Sequence, residues 1–177
     1  MNDILKYSGK HLSVHQTSRK IQNQDVRLEY IGRPNIVICI ALTEQSEIAF
    51  VRQHRVATGL QILELPAGKL EADEDPKTAA LRELREETGL KGKCACLLRK
   101  FYTAPHFSNE FAHLYETEIV GEGSPVPTTE EEITETCLLS PSQIRSAIDS
   151  GELTDPKSIT SLLIYDRISR KSILNEK

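Results

Sequence analysis

Apolar and polar positions alternate along the first thirty-one residues. HLSVHQT and VRLEYIG show the period of half-buried strands, with the polar SRKIQNQD as a turn between them. Such a segment is too small to hold its own core, so it must pack on the main body or on another subunit. Gly32-Arg33-Pro34-Asn35 then breaks the pattern and divides the chain into an N-terminal β element (1–34) and a main domain (35–177). IVICIALT is a continuous, mostly β-branched run, which predicts a central strand buried on both faces. EIAFVRQHRVA predicts a second strand. LQILELPAG leads from a strand into a shaped loop at Glu64, Pro66 and Gly68.

The period then lengthens to that of a helix. Asp75 can cap its start, Pro76 suits its first position, and Gly89 suits the residue after its end. Lys77, Ala80, Leu81, Leu84 and Thr88 share one face, of which the three apolar members can pack down. KCACLLRKFYT and FAHLYETEIV read as strands flanking the turn-rich APHFSNE. GEGSPVPTT reads as a mobile loop, and EEEITETCLLSP as an acidic start and a strand. Ser140-Pro141 opens a helix that Gly151 ends, with Ile144, Ala147 and Ile148 on one face. Thr154-Asp155-Pro156 opens another, carrying Ile159, Leu162, Leu163 and Asp166, and the final SRKSILNEK is expected to fray. The fold class is α+β.

Composition narrows the partners. The chain has 177 residues, 38% hydrophobic and 27% charged, which fits one globular domain with a small accessory element. A net charge of −4 and the lack of a basic stripe argue against a nucleic-acid polymer. No apolar run approaches a membrane span, and MNDILKYSGKH lacks the apolar centre of a signal peptide, so a cytoplasmic location is expected. Cys94 and Cys96 are two apart, which is no zinc or redox spacing. With Cys39 and Cys137 they read as buried free thiols. His11 and His15 show no metal-ligand spacing and read as ordinary strand or surface residues.

The candidate chemistry sits opposite the apolar stripe of the first helix. Glu83, Glu86 and Glu87 fall on one helical face, where like charges cost a few tenths of a kcal/mol per pair. A hard divalent cation would offset that cost, because Mg²⁺ takes carboxylate oxygens and completes its shell with water and substrate phosphates. A solvated acidic face is the plainer reading of three glutamates alone. Arg52 and Arg55 lie three apart in a strand and so face opposite ways. Each is open to a surface ion pair or to recognition of a diphosphate or a purine.

The stretch from Gly68 to Leu90 resembles the Nudix box, GX5EX7REUXEEXGU, with Gly68, Glu74, Arg82, Glu83, Leu84, Glu86, Glu87, Gly89 and Leu90 filling every fixed position. Further motifs are similar to the ADP-ribose pyrophosphatase subgroup: VRQHR, ELPAG, YTAPHFSNE with Pro105 sixteen residues beyond Gly89, and GELTDPKSI. His106 stands where that loop usually has glycine.

The resemblance implies a Nudix fold, a mixed β-sheet sandwiched between helices (α/β/α), with a small N-terminal antiparallel β element. It implies Mg²⁺ (or Mn²⁺) held by Glu83, Glu86, Glu87 and the Ala67 carbonyl, with Arg82 and Glu74 orienting the carboxylates. Glu110, Glu86 and Arg82 form the implied catalytic set, with Glu110 as general base or further metal contact. Arg55, Arg52, Glu64 and Pro105 are the implied substrate-binding set, and Tyr102, Phe107 or Tyr30 could stack on adenine, although core packing is the plainer reading of each aromatic. The expected reaction is cleavage of ADP-ribose to AMP and ribose 5-phosphate. The alternatives are another nucleotide sugar such as GDP-mannose, a dinucleoside polyphosphate, or a binding module without catalysis. The implied assembly is a homodimer through the N-terminal strands.

Overall fold

The computed structural model describes residues 3–125, 133–169 and 173–174. Three antiparallel strands come first: β1 (Ile4–Ser8), β2 (Ser13–Ile21) and β3 (Gln24–Gly32), paired in that order as a separate sheet. The polar SRKIQNQD is strand for most of its length. The turn is confined to Gln22 and Asn23, both at positive φ (49° and 63°), the left-handed pair that a two-residue hairpin of the right twist requires. Polarity misled here because both faces of this ribbon are largely exposed.

The main sheet is built from β4 (Ile36–Leu42), β5 (Ile48–Arg55), β6 (Leu60–Glu64), β7 (Ala67–Lys69), then, after helix α1 (Pro76–Thr88), β8 (Lys91–Gly92), β9 (Cys96–Tyr102), β10 (Phe111–Gly121) and β11 (Ile133–Leu139). Helices α2 (Pro141–Asp149) and α3 (Pro156–Ser169) follow. The path runs β11-β5-β4-β10-β8, with β6 on β5, β7 on β4 and β9 on β10. Strand β4 is parallel to β10 and antiparallel to β7, so the sheet is mixed.

All seven residues of β4 are buried, as its unbroken apolar run predicts. Its alternate side chains serve two cores. Ile36, Ile38, Ile40 and Leu42 pack with Ile144 and Ala147 of α2 and with Leu162 and Tyr165 of α3. Val37 packs with Ala79 and Ala80 of α1, and Cys39 and Ala41 with Leu84. Helices therefore cover both faces, in the expected α/β/α order.

Several expectations need correction. Cys39 is buried, but Cys94 and Cys96 are exposed, because Ala95 between them takes the inward position. Leu163 is exposed, and Ser158, Ser161, Leu162 and Tyr165 form the buried stripe of α3. The chain end is not wholly frayed. Ile173 is buried, its N–H donates to Asp166 Oδ1 (2.6 Å), and its carbonyl accepts from Arg145 Nη1 (2.8 Å). The GEGSPVPTT loop from residue 126, the acidic start of β11 and most of the last residues lie outside the described part. Among the described residues no helix is long and apolar enough to cross a membrane.

Candidate active site

Helix α1 starts and stops where its sequence predicts. Asp75 caps it by accepting from Thr78 N–H (3.2 Å), and Gly89 closes it at φ 75° with its N–H on the Arg85 carbonyl. The helix buries Ala79, Ala80, Leu84 and Thr88 together with Glu83 and Glu87. Glu83 is 5% exposed and Glu87 1%, so the acidic face is not a solvated one. Lys77 is exposed and takes no part in the packed stripe.

Two buried carboxylates on adjacent turns need positive partners. Arg82 supplies one. Its Nε and Nη2 grip Glu74 Oε1 and Oε2 at 2.8 and 2.9 Å, a fork-on-fork pair. Its Nη1 reaches Glu83 Oε1 (2.8 Å) and Glu86 Oε2 (3.0 Å), and Nη2 also reaches the Lys69 carbonyl (3.2 Å). The bonds to Glu74 hold the Glu74 carboxyl below its usual range and push the guanidinium further up.

Strand β7 presses against this face. Gly68 has room for no side chain: a Cβ there would stand 2.0 Å from Glu83 Cδ and within 2.2 Å of both its oxygens. Ala67 N–H donates to Glu87 Oε2 (3.1 Å). The structure thus brings Ala67, Gly68, Glu83, Glu86, Glu87, Arg82 and Glu74 together. Among the described residues, no three acidic, His or Cys side chains already converge as a cation cage. Arg82 Nη1 lies on both Glu83 and Glu86 and supplies the positive charge between them. The donor set still suits a hard cation, being buried carboxylate oxygens crowded against a glycine.

A second group lies on the same sheet face. Glu64, with its side chain 3% exposed, accepts from Arg55 Nε (2.7 Å) and Nη2 (2.5 Å) and from Lys157 Nζ (3.0 Å). Burial alone would lower the Arg55 guanidinium, but the Glu64 bond and charge outweigh it and raise it; Glu87 adds to that rise. Lys157 Nζ also donates to Asp155 Oδ1 (2.7 Å). Asp155 Oδ2 accepts from Ser158 N–H and Oγ–H, and Ser158 Oγ accepts from Leu65 N–H (2.8 Å). Arg52 faces the other way, as strand geometry predicts, and is ion-paired with Glu135 and Glu152. It is not brought to Arg55.

The third group is the loop between β9 and β10. Glu110 is buried, and Thr103 Oγ1–H donates to its Oε1 (2.8 Å). Arg33 Nε stands 2.7 Å from Oε2, an ion pair by distance, but its N–H is not aimed at that oxygen, which is buried without a hydrogen-bond donor. The loop is stitched to the end of β3. Ile31 N–H donates to the Phe107 carbonyl (2.7 Å), Asn109 N–H to the Ile31 carbonyl (3.2 Å), and Arg33 N–H to Asn109 Oδ1 (2.9 Å). Pro105 and His106 lie exposed at the turn. Core packing, the plainer expectation for the aromatics, does not hold: Tyr102 and Phe107 are exposed, and half-buried Tyr30 stacks on His15.

Sequence reasoning missed Arg33, Thr103, Asp155, Lys157 and Ser158 as members of these groups. Asp155 gave a local signal as a helix opener, and Asp155, Lys157 and Ser158 lie within GELTDPKSI, a stretch whose resemblance assigned none of them a role. Lys157 and Glu64 are 93 positions apart, and nothing in either neighbourhood announces the pair. An open groove of about 500 Å³ on the outer flank of α1 includes Arg82 and Glu86 but neither Ala67, Glu83 nor Glu87. It therefore lies beside the buried acidic pair rather than over it.

Known proteins resemble this chain in sequence and in fold. The NUDIX domain model matches residues 32–162. The chain is 31% identical over 156 residues to an ADP-ribose pyrophosphatase of Bacillus subtilis (strain 168), covering 86% of this chain and 83% of that protein. It is 39% identical over 110 residues to a methanol dehydrogenase activator of Bacillus methanolicus, covering 62% and 60%. A crystal structure of an ADP compounds hydrolase superposes with a TM-score of 0.84 over 99% of this chain and 95% of that one, at 15% identity, which speaks for the fold.

Proposed function

The chain belongs to the NUDIX family, and from that premise we propose that it hydrolyses the diphosphate bond of ADP-ribose, or of a closely related nucleoside diphosphate sugar, to AMP and ribose 5-phosphate. The observation that carries the reaction class is the buried pair Glu83 and Glu87, the first crowded against Gly68 and the second bonded to the Ala67 N–H. The substrate reading is supported by the match to the Bacillus subtilis ADP-ribose pyrophosphatase, which spans most of both chains. A binding module without catalysis would not need Glu74, Glu83, Glu86 and Glu87 all in place.

In this reading Glu83, Glu86, Glu87 and the Ala67 carbonyl hold Mg²⁺. A cation held there would neutralise the diphosphate and lower the pKa of a bound water. Arg82 keeps the carboxylates apart and oriented, through bonds to both Glu83 and Glu86. Arg55 presents guanidinium N–H groups to the diphosphate and stabilises the departing phosphate. Glu110 accepts the proton of the attacking water at Oε2, the oxygen with no donor aimed at it. The loop that bears it must carry that oxygen to the water when substrate binds.

Incubation with ADP-ribose and Mg²⁺ in ¹⁸O-labelled water, with mass analysis of both products, tests the proposal. AMP and ribose 5-phosphate, one of them carrying the label, are expected. Turnover of GDP-mannose much faster than ADP-ribose would refute the substrate. The N-terminal sheet exposes Ile4, Leu5 and Tyr7 on β1, which suits a homodimer through these strands. Light scattering at micromolar protein should give twice the chain mass, and a clean monomer would exclude it.

A further inference from the structure

Glu64 is a buried carboxylate with two cationic partners on different elements, Arg55 at the end of β5 and Lys157 in the first turn of α3. Arg55 spends Nε and Nη2 on Glu64, and its side chain remains 37% exposed. It faces the same side of the sheet as Glu87, whose charge it feels. Lys157 is 20% exposed and is held between Glu64 and Asp155, while Asp155 is fixed by Ser158 and Ser158 by the Leu65 backbone. Leu65 is two residues from Ala67. The α3 start, the Glu64 carboxylate and the strand entering the acidic site are thus joined by one set of bonds.

We propose that Lys157 is a positioning residue for the diphosphate, acting through Glu64 on Arg55. The inference rests on the reading of Arg55 as a diphosphate ligand and holds for any nucleoside diphosphate substrate. The four groups Arg55, Lys157, Glu64 and Asp155 sum to zero formal charge. Without Lys157 they sum to −1, under the guanidinium that must meet an anion. Glu64, almost wholly desolvated, would then depend on Arg55 as its one strong cationic neighbour in this cluster and hold it more tightly. Either effect lowers the fraction of protein in which Arg55 can serve the substrate, and apparent affinity falls with that fraction. Lys157 therefore makes the buried carboxylate tolerable without committing Arg55 to it. The metal-holding residues are untouched, and in the bound state Arg55 is already on the diphosphate, so the bond-breaking step keeps its rate once substrate is bound.

The test compares the wild type, Lys157→Met, Lys157→Arg, Glu64→Gln and the double variant Glu64→Gln/Lys157→Met. KM and kcat are read on ADP-ribose with Mg²⁺, and binding of ADP-ribose in EDTA by calorimetry. Lys157→Met should raise KM and weaken metal-free binding about tenfold or more, with kcat within about twofold. Lys157→Arg should recover most of the loss. In the Glu64→Gln background, where the buried charge is gone, the same Lys157→Met change should alter KM less than about twofold. An equal KM penalty in both backgrounds, or a loss confined to kcat, overturns the proposal and leaves Lys157 as a support of α3 alone. Melting temperatures identify variants that fail to fold, and for these the Lys157→Arg comparison decides. If the wild type ignores ADP-ribose but cleaves another nucleoside diphosphate, the same series is run on that substrate. The substrate reading then fails while the role of Lys157 is still decided.

Discussion

Replacing Gly68 by alanine isolates the Glu83 carboxylate without touching it chemically. The added Cβ would stand 2.0 Å from Glu83 Cδ and 2.1 and 2.2 Å from its oxygens, whereas real Cβ contacts stay above about 3.0 Å. Gly68 has no positive φ, so the backbone itself accepts alanine. The carboxylate must therefore withdraw by at least about 1 Å, taking with it the bond from Arg82 Nη1. A displacement of about 1 Å in a reacting constellation can cost on the order of a hundredfold. Overpacking costs about 1–3 kcal/mol, partly offset by the smaller chain entropy of alanine, and a few degrees of melting temperature should be lost. The assay is AMP release from ADP-ribose against Mg²⁺ concentration, with the melting curve as the fold control. A folded Gly68→Ala protein with kcat/KM within threefold of wild type would refute the placement of Glu83 at the reacting centre.

Three other changes test the remaining supports. Glu87→Gln keeps size and can still accept from Ala67 N–H, so a folded protein should lose at least about a hundredfold in Mg²⁺-dependent kcat; near-normal turnover would remove Glu87 from the metal site. Arg82→Lys replaces a planar fork by a point charge and cannot hold Glu74 in two places while reaching Glu83 and Glu86. A loss of about 2–3 kcal/mol in urea unfolding is expected, and none would show the network to be idle. Burial alone would raise the Asp155 carboxyl, but Lys157 and Ser158 outweigh it and hold it below its usual range. The stability it contributes is present above the unfolded carboxyl pKa of about 4 and is lost as pH falls through the lower folded value. The melting-temperature gap between wild type and Asp155→Asn should thus be constant from about pH 5 to 8 and close below about pH 4; a gap unchanged at low pH contradicts the sign.

The sequence made local features legible and contacts between distant elements much less so. Asp75, Pro76 and Gly89 mark α1 within a residue, because caps are read from neighbours. The buried run of β4 is equally plain, since no other element of this length is apolar without interruption. The resemblance to the box supplied Ala67, whose proposed role belongs to a carbonyl and is invisible to any side-chain pattern. What stayed hidden was contact across the fold. Arg33 meets Glu110 across 77 positions, and Arg52 meets Glu152 across 100, so neither partner could be named from its surroundings. Cys94, Cys96 and the aromatics were misjudged for a related reason: hydrophobic type predicts burial only when the facing layer is known.

The three backbone-mediated bonds between Ile31–Arg33 and Phe107–Asn109 moor the segment bearing Glu110 to the tail of the N-terminal ribbon. A chain trimmed to begin near residue 34 would keep every acidic group of the box helix and lose the pegs on one side of that segment. The tail of that ribbon, Ile31 to Arg33, is thus an anchor for the Glu110 segment as well as a connection to the main sheet.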